Sequence, residues 1–332
     1  MNLLRWLLAA SLLSLNLATA AAAEKAAPRA YLGAIVIDAN SGQVLFEDNA
    51  DMQNPPASMA KLMAFAVLHD RLAAGALTLE APVTVTAADA KMGGTQVWLK
   101  ENEIFSVEEL IYAMMIQSAN DASHALARVA GGSTEAFVEW MNAKARTLGM
   151  ARTTFRTPHG LPPANRRVAD GDLTTPRDFA LLCRHLLTKT DVTKYSAIAE
   201  RPFGSGRPAG AVAMRNHNHL LGKVAGLNGL KTGFTNGAGF CLSASAERTG
   251  RRVIVVVMGA SDSKSRDLKV AELIERGFAV LPAAATTAPV KPDDIPTVKT
   301  DKTPPPAKPA DQSSTNSDAG LTFRVIPPNK KP

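Results

Sequence analysis

The chain has 332 residues, of which 46% are hydrophobic and 20% charged, and its formal net charge is +7. This composition is typical of a globular protein with a sizeable core and excludes a chain that is disordered throughout. The lysines and arginines are scattered rather than grouped in a stripe, which argues against a nucleic-acid partner. A mildly basic chain is better matched to a polyanionic envelope surface.

The first 23 residues have the order of a secretory signal peptide: one arginine, an apolar stretch and then small residues up to Ala23. Ser11, Ser14 and Asn16 interrupt the apolar stretch, so an uncleaved anchor is the weaker alternative. No later segment approaches the length of a membrane span. We therefore predict a periplasmic or other extracytoplasmic protein with no stable transmembrane anchor after cleavage.

Three parts are expected along the chain. Residues 1–23 are the signal peptide, and residues 24–281 form one folded domain. Residues 282–332 are rich in Pro, Ala, Thr, Lys, Asp and Ser and have few side chains able to build a core. We predict that this last part is a disordered tail.

Strands are expected at both ends of the folded domain. Residues 31–37 and 43–46 read as a hairpin, and residues 239–246 and 252–258 read as two strands joined by a short turn. The middle of the domain is helical instead. We predict an α+β fold in which the first and last strands share an antiparallel sheet flanked by helices, with a separate helical lobe.

Local capping signals place the helices in this pattern. The expected helices are one after a capping box at Ser106–Glu109, one from Thr134 to Leu148, one beginning at Thr175 and Pro176, and one from about Asp267 to Arg276 that Gly277 ends.

One further apolar stretch, residues 55–68, carries Ser58 and Lys61 one helical turn apart on the same face. The apolar neighbours of Lys61 would desolvate its amine, which lowers the pKa of that amine. Lys61 is therefore a candidate base for the Ser58 hydroxyl. The simpler alternative is that Lys61 extends to water while Ser58 only caps the helix.

Two later motifs supply candidate partners for this pair. Ser118 and Asn120 stand in an S-x-N motif after an apolar helix, although such polar residues can also simply start the next helix. Lys231, Thr232 and Gly233 lie at the edge of an expected strand, where the glycine would let the backbone of a ligand come close. A lysine at a strand edge can also serve solubility alone.

The order S-x-x-K, S-x-N, K-T-G is the motif set of class A β-lactamases and penicillin-binding proteins, with S-D-N as the usual middle element. The sequence resembles one branch, the D-alanyl-D-alanine carboxypeptidases of serine peptidase family S11, over about residues 30–278. The likeness extends to Pro158-His159-Gly160-Leu161, Asn218-His219-Leu220-Leu221 and Gly229 to Thr235. Residue 60 is Ala where the family usually has Thr, and a proline-rich tail replaces the second domain of many relatives.

The resemblance implies a β-lactamase/DD-peptidase-like fold and roles for the motif residues. Ser58 would attack the carbonyl of the penultimate D-Ala while Lys61 takes its proton. Ser118 would relay a proton to the leaving amine, and Asn120 would orient the substrate and Lys61.

The resemblance also implies that the third motif binds the substrate. Lys231 and Thr232 would hold the free carboxylate of the terminal D-Ala, and Gly233 lies beside them on the same strand. The backbone N–H groups of Ser58 and Phe234 would stabilise the oxyanion. Peptidoglycan pentapeptide stems are the expected substrates, and β-lactams the expected inhibitors.

Three other functions were weighed against this one. A D,D-endopeptidase of the same family would cut cross-links with the same residues and is the main alternative. A class A β-lactamase needs a glutamate for deacylation, and the chain has none between Glu139 and Glu200. A non-catalytic peptidoglycan-binding module is disfavoured because every proposed catalytic position is occupied.

The remaining histidines and the cysteines carry weaker signals. His159 lies in a turn between proline and glycine and is interpreted as structural. His217 and His219 alternate around an asparagine, but no third ligand stands near them, so we predict neither a metal nor a cofactor. Cys183 and Cys241 have no metal-like spacing, and a disulfide and two buried thiols both remain open.

Overall fold

The computed structural model of the protein describes residues 30–281. The expected signal peptide, the expected tail and both domain boundaries lie outside or at the limits of these residues. The strands are β1 (Gly33–Asp38), β2 (Val44–Asp48), β3 (Pro82–Thr84), β4 (Ile104–Ser106), β5 (Glu200–Phe203), β6 (Val212–Arg215), β7 (Leu227–Thr235), β8 (Gly239–Arg248) and β9 (Arg251–Ala260). The helices are α1 (Lys61–Ala73), α2 (Ala87–Ala90), α3 (Val107–Tyr112), α4 (Asn120–Gly131), α5 (Thr134–Thr147), α6 (Pro176–Lys189), α7 (Thr193–Ser196) and α8 (Ser263–Val280).

One antiparallel sheet organises the domain, with the strand order β2-β1-β9-β8-β7. The first strand therefore pairs with the last, with Ile35 opposite Val256. This confirms the predicted α+β fold in which N- and C-terminal strands share a sheet. The strand that carries the K-T-G motif, β7, is an edge strand of this sheet.

Alternating side chains of the sheet enter two different cores, because successive residues of a strand point to opposite faces. Val36 and Val255 face the same core as Leu273 of α8. Ile35 and Val256 face the larger core that the other helices build. Helix α6 packs on this second face of the sheet, against β1 and β9.

Helix α1 is the centre of the helical part of the domain. Its first eight residues, Lys61 to Leu68, are all buried, as the uniformly apolar sequence predicts. Helices α4, α5 and α6 surround it. A polar residue at the start of α1 is therefore enclosed on all sides by protein.

The last helix is longer than its sequence signals predict. It begins after Asp262, whose side chain accepts a hydrogen bond from the Ser265 N–H, and it continues to Val280. Gly277 does not end this helix. A Cβ at that position would lie 2.9 Å from Cγ1 of Val36, so the glycine lets α8 lie close to the sheet.

The capping box expected at Ser106–Glu109 is only half formed. The Ser106 hydroxyl accepts a hydrogen bond from the Glu109 N–H, which confirms the helix start. The Glu109 carboxylate instead accepts hydrogen bonds from Arg201 and from the Gly204 N–H. The Glu109 carboxylate thus pairs with Arg201, which is distant in sequence, and does not accept the hydrogen bond that a complete capping box would require.

Two small features escaped prediction from the sequence. The strands of the pairs β3–β4 and β5–β6 have only three or four residues each, which is too short for alternation to stand out. The helix that begins at Val107 passes into a π-helical turn over Ala113–Gln117. None of the helices within residues 30–281 is long and apolar enough to cross a membrane.

The close approach of α8 to the sheet gives a stability prediction. Gly277→Leu should lower the free energy of unfolding by about 1–3 kcal/mol, because the added side chain overpacks the space beside Val36 and Val253. Urea denaturation followed by circular dichroism measures this change. Lys264→Leu, at an exposed position of the same helix, is the control and should shift the midpoint little. Equal midpoints for the two variants would contradict the packing role of Gly277.

Candidate active site

Ser58 lies in a short 3₁₀ turn, Ala57–Ala60, that leads directly into α1 at Lys61. The two motif residues therefore do not share one α-helix as the sequence suggested. In a 3₁₀ turn, residues three apart eclipse each other, which aims both side chains in the same direction. The Lys61 Nζ lies 3.0 Å from the Ser58 Oγ.

Two glycines hold this turn in place. A Cβ on Gly233 would lie 2.4 Å from the carbonyl oxygen of Pro56, and a Cβ on Gly160 would lie 1.9 Å from that of Ala57. No larger residue fits at either position without moving the turn. The glycine of K-T-G thus makes room for the turn that carries Ser58, whereas the sequence suggested room for a ligand.

Lys61 is fully buried, and three elements converge on its side-chain nitrogen. Besides the Ser58 hydroxyl, Nζ contacts Oδ1 of Asn120 at 2.7 Å and the carbonyl oxygen of His159 at 2.7 Å. Burial holds the pKa of Lys61 well below its usual value, and the nearby charge of Lys231 lowers this pKa further. The alternative in which Lys61 extends to water is wrong.

The contacts also fix which way the amine faces. A neutral lysine amine has two N–H donors and one lone pair. The oxygens of Asn120 and His159 can only accept, so they take the two N–H groups. The lone pair is then left for the Ser58 hydroxyl, which is the orientation that a general base requires.

Ser118 and Asn120 lie at the junction between the π-helical turn and α4. Ser118 has a left-handed backbone with φ of 64°, and its hydroxyl has no hydrogen-bond partner within residues 30–281 although it is buried. The Asn120 side chain donates from Nδ2 to the carbonyl oxygen of Gly93 at 2.8 Å. This contact sets the amide so that Oδ1 faces Lys61.

Asp121 is a buried residue whose structural role the sequence did not reveal. Its carboxylate accepts hydrogen bonds from the N–H groups of Val97 and Leu99. The same loop supplies the Gly93 oxygen to Asn120 and the Thr95 oxygen to the Asn120 N–H. Asp121 therefore anchors the loop that orients Asn120.

Lys231 lies in the middle of β7, where its side chain is only 3% exposed. Burial lowers the pKa of Lys231 to about 7, and the charge of Arg266 contributes to the shift. Arg266 comes from the first turns of α8 and is held by Asp267 at 2.7 Å. Arg266 is buried, but nothing in the local sequence distinguishes it from an arginine of the surface. Its place in the site was therefore not predicted.

A cleft of about 360 Å³ joins the three motifs. Lys61, Asn120 and Lys231 lie buried behind its walls, and the exposed ring of Phe234 stacks on that of Phe240 at 4.1 Å between centroids. The cleft is lined by Ser58, Thr95, Ser118, His217, His219, Thr232, Gly233, Phe234, Phe240, Ser263 and Arg266. The structure thus brings together all eight residues singled out in the sequence.

The loop that contains His159 contributes backbone rather than a side chain. The His159 carbonyl binds Lys61, and its Nδ1 accepts a hydrogen bond from the Leu161 N–H. Burial lowers the pKa of His159 to about 3, so the ring is neutral at ordinary pH. The side chain is structural, as expected, but the sequence gave no sign of the carbonyl contact.

Asp172 is the carboxylate of this loop that lies near Lys61. Its oxygens accept hydrogen bonds from the N–H groups of Arg156 and Thr157 and from the Thr157 hydroxyl. A carboxylate committed to three donors is poorly placed to activate water. This supports the argument against a β-lactamase that deacylates through an acidic residue.

His217 and His219 line the cleft, whereas Cys183 and Cys241 lie in the core. His219 Nδ1 lies 3.3 Å from the Asp267 carboxylate, and within residues 30–281 no group of three or more His, Cys, Asp or Glu residues could hold a metal. Cys183 and Cys241 are free and buried, which decides between the two alternatives left open. Burial raises the pKa of these thiols to about 12 and about 11.

The fold and the grouped Ser-Lys, S-x-N and K-T-G residues define a protein of the penicillin-binding class. The chain belongs to peptidase family S11, described as D-alanyl-D-alanine carboxypeptidase, whose family model matches residues 17–262.

Relatives with known names agree with this assignment. The chain is 34% identical over 245 residues to D-alanyl-D-alanine carboxypeptidase DacF of Bacillus subtilis (strain 168), which covers 74% of this chain and 61% of the relative. It is 37% identical over 303 residues to D-alanyl-D-alanine carboxypeptidase DacC of Escherichia coli (strain K12). This match covers 88% of this chain and 72% of the relative. The chain thus spans about three fifths of the length of the Bacillus relative.

Solved structures show the same fold. D-alanyl-D-alanine carboxypeptidase DacD from Francisella tularensis superposes with a TM-score of 0.70 at 27% identity, covering 81% of this chain and 76% of that chain. Penicillin-binding protein D2 from Listeria monocytogenes, in its ampicillin-bound form, superposes with a TM-score of 0.67 at 30% identity. The match covers 76% of this chain and 100% of that chain. The predicted β-lactamase/DD-peptidase-like fold is confirmed.

The electrostatic effect of Arg266 on Lys231 gives a pH prediction. Lys231 is charged below its pKa of about 7. If it binds a substrate carboxylate, as the sequence predicts, kcat/KM for a peptide that ends in a carboxylate should fall as the pH rises through that value. Arg266→Gln removes a cation that lowers this pKa, so the alkaline limb should move to higher pH. The pH profile of D-Ala release measures the shift.

Lys264→Gln is the matched control, since it removes an exposed cation from the same helix. Its profile should overlay that of the wild type. The coupling between Arg266 and Lys231 is refuted if the alkaline limb stays in place in Arg266→Gln.

Proposed function

We propose that this chain is a serine-type D-alanyl-D-alanine carboxypeptidase that removes the terminal D-Ala from peptidoglycan stem peptides. One observation carries the proposal. The amine of Lys61, whose pKa burial lowers, lies 3.0 Å from the hydroxyl of Ser58, which lines the cleft, and a second cation, Lys231, is buried behind Thr232 of the same cleft. Membership of the S11 family supports the same conclusion.

Acylation begins with the Ser58 hydroxyl. The Lys61 amine accepts its proton while Ser58 Oγ forms a bond to the carbonyl carbon of the penultimate D-Ala. The resulting oxyanion binds the backbone N–H groups of Ser58 and Phe234. The turn that carries Ser58 is packed directly against β7, so these two donors are held at a fixed spacing.

The leaving group is the amine of the terminal D-Ala. Ser118 passes it the proton held by Lys61, and the carbon–nitrogen bond breaks to give an acyl-enzyme on Ser58. The unpartnered hydroxyl of Ser118 suits this role, because a buried hydroxyl without a partner costs about 1–3 kcal/mol and gains from a substrate that supplies one. Water then resolves the acyl-enzyme.

The substrate end is recognised by charge. Lys231, with Thr232 beside it, binds the terminal carboxylate through charge-assisted hydrogen bonds. Arg266 adds a second positive charge to the same wall of the cleft. This pairing selects peptides that end at the cleft, which is what distinguishes a carboxypeptidase.

Two consequences concern inhibitors and location. A β-lactam mimics the D-Ala-D-Ala end and would acylate Ser58 in the same way. The signal peptide predicted for residues 1–23 would bring the enzyme to its substrate in the periplasm or another extracytoplasmic space.

The assignment of nucleophile and base gives a direct prediction. Ser58→Ala should abolish covalent labelling by a fluorescent penicillin, and Lys61→Ala should nearly abolish it, because the hydroxyl then lacks its base. Gel fluorescence after incubation measures the labelling. Lys264→Ala, at an exposed position, should label normally. Labelling that persists in Ser58→Ala would show that another residue is the nucleophile.

The choice of substrate gives a second prediction. Incubation with a pentapeptide stem should release free D-Ala, whereas the cross-link of a purified dimer should remain intact, because the amine on its scissile bond belongs to the acceptor stem and not to a terminal D-Ala whose carboxylate Lys231 could hold. Chromatography of the products measures both reactions. Cleavage of the dimer alone would assign the chain as a D,D-endopeptidase instead.

A further inference from the structure

A second cavity adjoins the cleft and is used by none of the steps above. Its volume is about 390 Å³, and it lies between the end of β7 and the loop of residues 160–172. Phe234 lines both cavities, so they share a wall. The lining is mostly apolar or backbone, from residues such as Pro163, Val168, Thr235 and Gly237.

One charged side chain on this wall is without a partner. Arg166 lines the cavity and is exposed, and its guanidinium makes no hydrogen bond or ion pair within residues 30–281. The next residue, Arg167, is paired with Asp170 at 3.6 Å and does not line the cavity. Two adjacent arginines therefore have different surroundings.

The loop holds Arg166 in an unusual backbone conformation. Its φ is 55°, a left-handed value that residues other than glycine adopt rarely. The turn is tied by the hydrogen bond from the Arg166 N–H to the Pro163 oxygen and by the Asn165 side chain, which contacts Asp170 and the Arg167 N–H. Strain of this kind persists where the surrounding contacts impose it, and here it places the guanidinium on the cavity wall.

The position along β7 indicates which part of a substrate reaches this cavity. In the proposed function, Lys231 holds the terminal carboxylate and the Phe234 N–H marks the scissile carbonyl. The residues that follow, Thr235 to Gly237, line the second cavity. A peptide that runs along the open edge of β7 therefore places the residues preceding its D-Ala-D-Ala end beside Arg166.

The cavity also contains one acidic residue, which must be reconciled with an anionic ligand. Asp172 also lines it but is buried, and its oxygens accept hydrogen bonds from the Arg156 N–H and the Thr157 hydroxyl. Arg166, by contrast, lines the cavity and is exposed. A ligand carboxylate bound there faces the guanidinium without needing to displace the contacts of Asp172.

We propose that this cavity is an acyl-side subsite in which Arg166 binds a carboxylate carried by one of the two residues that precede the D-Ala-D-Ala end. The proposal rests on the proposed function and adds a substrate preference to it. A guanidinium and a carboxylate form a charge-assisted and often bidentate pair, so the carboxylate should strengthen productive binding.

Matched peptides test the subsite. The substrates are acetyl-Gly-X-D-Ala-D-Ala and acetyl-X-Gly-D-Ala-D-Ala, each with X as L-Glu or L-Gln, which differ in charge but hardly in size. For the wild type, kcat/KM for D-Ala release should be about tenfold higher with Glu than with Gln in at least one of the pairs. Arg166→Gln should reduce this ratio to about one, while Arg167→Gln should retain it.

The outcomes separate this inference from the function on which it rests. A wild-type ratio near one in both pairs, or the same ratio in Arg166→Gln as in the wild type, overturns the subsite. In either case D-Ala release from the Gln peptides leaves the carboxypeptidase assignment standing. If none of the peptides releases D-Ala, the proposed function fails and the subsite fails with it.

Discussion

The burial of the Lys61 amine is the constraint on which the site depends. Three separate parts of the chain meet at this nitrogen: the turn of Ser58, the start of α4 with Asn120, and the loop with His159. A charged ammonium would be costly in such surroundings, whereas a neutral amine is satisfied by two carbonyl acceptors and one hydroxyl. The same packing that closes the core therefore lowers the pKa of Lys61 and favours its neutral form, and the charge of Lys231 acts in the same direction.

Much of the site could be predicted from the sequence because its chemistry is carried by short motifs. The order of the motifs that contain Ser58, Lys61, Ser118 and Lys231 can be recognised without knowledge of their distances, and its resemblance to a known motif set implies a role for each residue. Contacts made by the backbone could not be predicted from the sequence in this way. The His159 carbonyl could not be read from residue identity, because any residue supplies a carbonyl.

The fold followed from periodicity where elements are long and apolar, as in β1, β9 and α1. Individual details of the fold were not predicted where tertiary contacts override the local sequence signals. The Glu109 carboxylate leaves its local partner for Arg201, and Gly277 sits inside a helix because the sheet behind it leaves no space for a side chain. Short strands such as β3 and β5 depend on neighbours distant in sequence, so a local pattern cannot reveal them.

The π-helical turn before Ser118 has a geometric meaning of its own. The Ser118 N–H bonds to the Ala113 oxygen, five residues back, so this turn contains one residue more than a regular α-helical turn. Each residue of an α-helix advances the direction of its side chain by about 100°. If the turn had regular α-helical geometry with the same residues, the Ser118 N–H would bond to the Met114 oxygen instead, and the Ser118 side chain would be rotated by about that angle. The irregular turn thus sets the direction of the Ser118 side chain at the cleft.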